Sequence, residues 1–162
     1  MPFIEEETYN IDPQLIESKI TSKTKAIIVV HLFGHSVNMD PIIDIAKKYN
    51  LKIIEDCAEA HGATYKGKKV GSLGDIGCFS FYANKIITTG EGGMLTTNSL
   101  QLAERAKELK SLAFGKKNKF MHTDIGYNYR MTNIQAAIGC AQLDKIEHII
   151  KSKIYISNQY RL

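Results

Sequence analysis

"KAIIVVHLFGHSVNMDPIIDIAKKYNLKIIED", Lys25 to Asp56, decides the fold. Its opening, Lys25 to Phe33, is a continuous apolar, β-branched run, the composition of a strand covered on both faces. "NMDPIIDIAKKYN" then carries Ile42, Ile43, Ile45, Ala46 and Tyr49 at helical spacing, and Asp40 ahead of Pro41 marks a helix start. "LKIIED" makes a second strand that ends in two carboxylates. A strand, a helix and a strand within about 30 residues form a βαβ unit, so the two strands are expected to be parallel with a right-handed crossover. Ligands on such sheets sit beyond the carboxyl ends of the strands. His31 to His35 and Glu55 to His61 lie there, on one rim.

On the amino-terminal side, "DPQLIESKI" predicts a short helix with Asp12 as cap and Pro13 at its first position. On the carboxyl-terminal side, "IGCFSFY" (Ile76 to Tyr82) and "GGMLTT" (Gly92 to Thr97) read as strands, close enough in sequence to be antiparallel neighbours. "SLQLAERAKELKSLA" predicts a helix capped by Ser99. "TNIQAAIGCAQLDKIEHIIKSK" predicts one long helix capped by Thr132 or Asn133. With 162 residues, 44% hydrophobic and 23% charged, the chain suits one soluble α/β domain. A net charge of +4, spread along the sequence, argues against a nucleic-acid binder. No apolar run reaches the roughly 18 residues a membrane helix requires. The three cysteines, Cys57, Cys78 and Cys140, fall in no metal-binding spacing and read as buried, reduced thiols of a cytoplasmic protein.

The chemistry centres on "SFYANKIITTGEGGM", Ser80 to Met94. Lys85 follows an aromatic strand and precedes a glycine-rich turn, and Asp56 ends the adjacent strand. An amine and an acid on neighbouring strand ends meet the needs of pyridoxal phosphate: the amine condenses with the aldehyde, and the carboxylate keeps the pyridine nitrogen protonated. Ser80 offers a hydroxyl for a phosphate oxygen, with a bond to nearby backbone as the alternative. Taken alone, "TTGEGG" could be only the bend between two strands.

"EDCAEAHGA", "GDIGCFSFYANKIITTGEGGM" and "GYNYRMTNIQAAIG", in that order, resemble the DegT/DnrJ/EryC1/StrS family of nucleotide-sugar aminotransferases, from about Asn10 to Lys145. The resemblance implies part of the large domain of the fold type I pyridoxal-phosphate-dependent aminotransferases, a mixed, mostly parallel sheet flanked by helices. It implies that Lys85 condenses with the cofactor and moves the proton, and that Asp56 pairs with the pyridine nitrogen. Ala58 would pack under one ring face, and Ser80 would bind the phosphate. Glu59 would stand beside the phenolic oxygen, where the two oxygens must share a proton. That glutamate resembles the perosamine-type branch, which acts on a GDP-linked 4-keto-6-deoxy sugar; UDP- or dTDP-linked sugars are the alternative. Asn128 matches an asparagine that reaches the neighbouring subunit's phosphate, which implies a homodimer. The amino donor implied is glutamate, and the pathway is polysaccharide biosynthesis. Relatives that dehydrate a sugar carry His where Lys85 stands, so transamination is expected.

Against the family pattern, residues 1–162 are expected to be a single partial domain, with an earlier segment and a later small domain absent. A non-catalytic fragment that keeps the sheet and the dimer surface is therefore the competing reading. A Rossmann-type nucleotide binder is a weak third reading, because no GxGxxG follows the first strand. His31 and His35 read as turn histidines, with substrate contact the alternative. His61 either approaches the cofactor or caps the next turn. His122 and His148 read as exposed. "GKKNKF" (Gly115 to Phe120) reads as a solvated basic loop, with a sugar-nucleotide diphosphate as its alternative partner.

Overall fold

The computed structural model describes residues 4–114, 118 and 120–160. Of the loop "GKKNKF", residues 115–117 and 119 lie outside that set. Helix α1 (Pro13–Ile16) opens as expected: the Asp12 side chain accepts the Gln14 N–H, and Pro13 sits in the first turn. The helix tightens into a 3₁₀ turn at Glu17–Lys19. Strand β1 (Ala26–Val30) follows, then helix α2 (Met39–Tyr49) and strand β2 (Lys52–Asp56). β1 and β2 are parallel, with Ala26 opposite Lys52 and Val30 opposite Asp56.

Helix α2 starts one residue before the expected point, at Met39. Asn38 occupies the cap position, but its side-chain oxygen accepts the Tyr65 hydroxyl instead of a helix N–H. Asp40 lies in the first turn and pairs with Lys66 on the hairpin formed by β3 (Thr64–Tyr65) and β4 (Lys68–Lys69). At its other end α2 stops on Asn50 in the left-handed conformation, whose N–H returns to the Ala46 and Lys47 carbonyls. The buried stripe of α2 is Met39, Ile42 and Ala46, and it packs on Ile27, Val29 and Ile53 of the sheet. Each such aliphatic side chain taken out of water contributes roughly 1.5–3 kcal/mol. Tyr49, expected on that stripe, is exposed.

Strand β5 (Ile76–Ser80) adds in parallel beside β2, and β6 (Gly93–Thr96) closes the order β1-β2-β5-β6 as an antiparallel edge. Only one sheet face is covered here. Ile28, Val30 and Leu95 on the other face are 61%, 41% and 54% exposed. This corrects the expectation that β1 is covered on both sides: α2 covers one face, and no other described helix lies against the opposite one.

Helix α3 (Leu100–Leu109) begins on Ser99, whose hydroxyl accepts the Leu102 N–H. The long helix expected from Thr132 onward is two helices, α4 (Asn133–Leu143) and α5 (Ile146–Gln159). Thr132 caps α4 in a reciprocal box with Gln135. Asp144 and Lys145 break the helix, as the Lys145 N–H turns back to the Gln142 carbonyl. The new direction brings Ile150 of α5 against Gly62, where a Cβ would stand 2.1 Å from the Ile150 Cδ1. The hydrophobic period runs through this break, so it does not register in the sequence.

Candidate active site

Alternation along β2 sends Glu55 and Asp56 to opposite faces of the sheet. Glu55 enters the covered side and is fully buried. Its Oε1 accepts the Leu73 and Gly74 N–H groups at 2.7 and 2.6 Å, and its Oε2 accepts the Gly71 N–H at 2.8 Å. The fourth partner is the Nε2 of buried His31, 3.1 Å from Oε2. Because His31 Nδ1 accepts the Val37 N–H, the ring proton sits on Nε2 and points at Glu55. Burial alone would raise the Glu55 pKa, yet His31 and the three backbone donors hold it below the usual carboxylate value. His31 is thus a hydrogen-bonded turn histidine, as expected.

Asp56 faces the open side. Parallel register places it level with Val30 and Cys78, and Ser80 lies two residues further along the same face. Asp56 Oδ1 accepts the Ala58 N–H at 2.9 Å, which turns the chain over the rim; Oδ2 has no partner among the described residues. The turn continues through the Ala60 N–H to the Cys57 carbonyl, and it carries Ala58 and Glu59 onto the rim. Glu59 Oε2 accepts the Phe33 N–H at 3.0 Å, and Oε1 lies 4.0 Å from Lys85 Nζ. The Lys85 side chain is only 17% exposed. Ser80 Oγ accepts the Tyr82 N–H and retains its own proton for another acceptor.

The lysine loop is held by backbone and by α4. Phe81 donates to the Gly92 carbonyl, and Thr89 donates back to the Phe81 carbonyl. Gln142 of α4 grips Thr88 at both backbone groups, with Thr88 N to Oε1 at 3.0 Å and Nε2 to the Thr88 carbonyl at 2.5 Å. Gln135 donates to the Glu91 carbonyl. Gly92, at φ 138°, adopts a backbone closed to other residues, and a Cβ there would stand 2.8 Å from Met131. Gly92 therefore allows a close approach of the loop to the segment just ahead of α4.

Neither thiol beside the site competes with the amine. Burial, with Glu55 and Asp56 adding to it, pushes the Cys57 thiol up to about 12. Burial and Asp56 raise Cys78 as well. The expectation that all three thiols are buried holds for Cys57 alone: Cys78 is half-buried, and Cys140, on α4, is exposed. His31, Glu55 and Cys57 offer ligand-type atoms within 4.8 Å of one another, but the His31 nitrogens and the Glu55 oxygens are spent on the bonds above. His61 caps no turn, and it lies close enough to Lys85 for that charge to act on it. It is buried between Phe79 and Phe81, with both ring nitrogens unbonded, and burial lowers its pKa.

The structure thus brings Asp56, Ala58, Glu59, Ser80 and Lys85 to one rim and leaves Asn128 outside it. Asn128 is exposed and bridges Ser111. Of the remaining histidines, His148 is exposed, and His122 Nδ1 donates to the Leu112 carbonyl while the residue remains exposed. Sequence reasoning missed Glu55, Asn10 and the two glutamines of α4. The alternation of Glu55 against Asp56 was a readable signal; nothing in the sequence marks Gln142. A carboxylate oxygen, a hydroxyl proton and an amine, none with a strong partner among the described residues, form a donor set that fits the ring nitrogen, phosphate and aldehyde of pyridoxal phosphate.

A mixed sheet with the lysine loop between its last parallel strand and an antiparallel edge defines the large-domain architecture of the pyridoxal-phosphate-dependent aminotransferases. Residues 3–162 match the model of the DegT/DnrJ/EryC1/StrS aminotransferase family, and the chain belongs to that family. It is 52% identical to a GDP-perosamine synthase of Escherichia coli O157:H7 over 96% of this chain and 43% of that protein. It is 54% identical to a dTDP-3-amino-3,6-dideoxy-alpha-D-galactopyranose transaminase of Aneurinibacillus thermoaerophilus, over 86% of this chain and 38% of that one. Among solved structures, a DegT/DnrJ/EryC1/StrS aminotransferase from Brucella abortus superposes with a TM-score of 0.91 at 30% identity, covering 97% of this chain and 44% of that one. The chain spans less than half the length of each of these relatives.

Proposed function

We propose that this chain supplies the lysine-bearing core of a pyridoxal-phosphate-dependent aminotransferase that acts on a nucleotide-linked 4-keto-6-deoxy sugar. Glutamate is the amino donor, and the product feeds polysaccharide biosynthesis such as an O-antigen. The observation that carries the reading is the rim itself: a nearly buried Lys85 amine 4.0 Å from Glu59, on the strand ends that also carry the unpartnered Oδ2 of Asp56. When bound, the cofactor's ring accepts the electron pair released at the substrate carbon. Asp56 Oδ2 would hold the proton of the ring nitrogen, with Oδ1 fixed by the Ala58 N–H. Ser80 would donate its hydroxyl proton to the phosphate, and Ala58 would leave room beneath the ring. Lys85 would be the amine that holds the aldehyde carbon, and its Nζ would move the proton between donor and acceptor carbons. Glu59, steadied by the Phe33 N–H, faces that amine and would stand beside the phenolic oxygen.

A GDP-linked acceptor is favoured by the GDP-perosamine synthase relative and by Glu59; the dTDP-sugar transaminase relative supports the alternative nucleotide. Asn128, exposed and off the rim, is proposed to serve the second active site of a homodimer. No described helix is long and apolar enough to cross a membrane, which accords with action in the cytoplasm. Reconstitution of the intact protein with pyridoxal phosphate should give an absorbance band near the edge of the visible range, and Lys85→Ala should abolish it. An unchanged spectrum in that variant refutes the role of the lysine. Turnover of UDP- or dTDP-linked ketosugars without turnover of the GDP-linked one refutes the nucleotide preference.

A further inference from the structure

The turn from His31 to Val37 is fixed from three sides. His31 Nδ1 accepts the Val37 N–H, while its Nε2 is held by fully buried Glu55. Asn10, also buried, accepts the Leu32 N–H at 3.0 Å through Oδ1 and donates to the His35 carbonyl at 3.0 Å through Nδ2. The third clamp is Glu59, which takes the Phe33 N–H. Between these clamps Phe33 sits at φ 53° and ψ 24°, left-handed backbone that a bulky residue avoids. Strain of this kind persists only where surrounding bonds over-determine it. Its result here is a backbone N–H aimed at the carboxylate that faces Lys85.

We propose that Glu55, His31 and Asn10 are positioning residues for Lys85, acting through the backbone of the 31–37 turn and the Glu59 carboxylate. Without the buried clamps the turn relaxes, Phe33 N–H leaves Glu59 Oε2, and Oε1 is no longer kept near the amine. The importance of the coupling rests on Lys85 being the reactive amine of the proposed aminotransferase, although the coupling can be measured without that reading.

The test is a double-mutant cycle on the intact protein, stripped of pyridoxal phosphate with hydroxylamine. Trace acetic anhydride labels the lysines, and Lys85 is read against exposed Lys23 and Lys107 in the same digest. Glu59→Gln frees the amine, so Lys85 should label about three- to fivefold faster, the range of a single ion pair. His31→Leu should accelerate it by a similar factor in the wild-type background and add nothing in the Glu59→Gln background. Asn10→Ala runs through the same cycle, so the test stands if His31→Leu does not fold. An acceleration that persists in the Glu59→Gln background means general loosening and overturns the proposal, as does no acceleration at all. A non-additive cycle in a protein that never acquires the cofactor's absorbance band overturns the proposed function and leaves the coupling standing. An additive cycle in a protein that acquires the band overturns the coupling alone.

Discussion

Replacing Glu55 with Gln changes one oxygen into an NH₂ and removes a charge, and the structure sets the cost. Each carboxylate oxygen accepts two hydrogen bonds: Leu73 and Gly74 N–H on Oε1, Gly71 N–H and His31 Nε2 on Oε2. Whichever way the amide is turned, its NH₂ faces two donors. His31 cannot become an acceptor at Nε2 without giving up the Val37 N–H at Nδ1. At least two buried donors therefore lose their acceptor, at about 1–3 kcal/mol each, or roughly 2–6 kcal/mol in all. That is a large share of the roughly 5–15 kcal/mol of a typical domain. Urea unfolding of the intact protein measures it as a lower midpoint at unchanged slope. Asp56→Asn is the internal control. Its Oδ1 accepts a single N–H, the amide can keep its oxygen there, and the loss should stay below about 1 kcal/mol. The same network gives a pH signature. The Glu55 pKa lies below its ordinary 4.5 in the fold, so the unfolded chain takes up the proton first. Its stabilisation is complete above 4.5 and is lost as pH falls through the lowered folded value. A Glu55→Gln loss under about 1 kcal/mol, or one no larger than that of Asp56→Asn, refutes the reasoning.

Buried His61 forms no hydrogen bond of good geometry through either ring nitrogen; burial, with the Lys85 charge adding to it, lowers its pKa from 6.5 against a weaker opposing effect of the Ser80 backbone. Below pH 6.5 the unfolded chain binds a proton that the folded one refuses, so stability should fall with pH down to the lowered folded value; His61→Leu should be at least as stable as wild type at pH 8 and should lack this component of the decline, and a destabilised Leu variant contradicts the orphaned ring. At Gly77, a Cβ would stand 2.5 Å from the Gly71 backbone. Gly77→Ala should cost about 1–3 kcal/mol through overpacking, seen as a lower melting temperature, and an unchanged one would mean that β5 and the Gly71 turn are not in contact.

The parallel βαβ unit, the caps at Asp12 and Ser99, and the lysine between two strand ends were legible because each is written in local chemistry: β-branched runs, side chains that satisfy free N–H groups, and a period of 3.6 residues. The break at Asp144 was not legible. It follows from where α5 packs, against Gly62, and no local residue preference encodes it. The exposure of Ile28 and Val30 was hidden in the same way, since an apolar run says that a strand can be covered and leaves open what covers it.

Residue types and order by themselves determined the set of reactive groups at the site: an amine, two carboxylates and a hydroxyl at the ends of neighbouring strands. Alternation along the strand already set adjacent Glu55 and Asp56 on opposite faces; only the tertiary structure decided which of them is buried. The pleat turns one inward, where buried donors surround it, and the other outward, where an oxygen is left without a partner. The same holds for His31, Asn10, Gln135 and Gln142, distant in sequence from what they hold. Hydrogen bonding acts over a few ångströms of space, and separation along the chain does not report it.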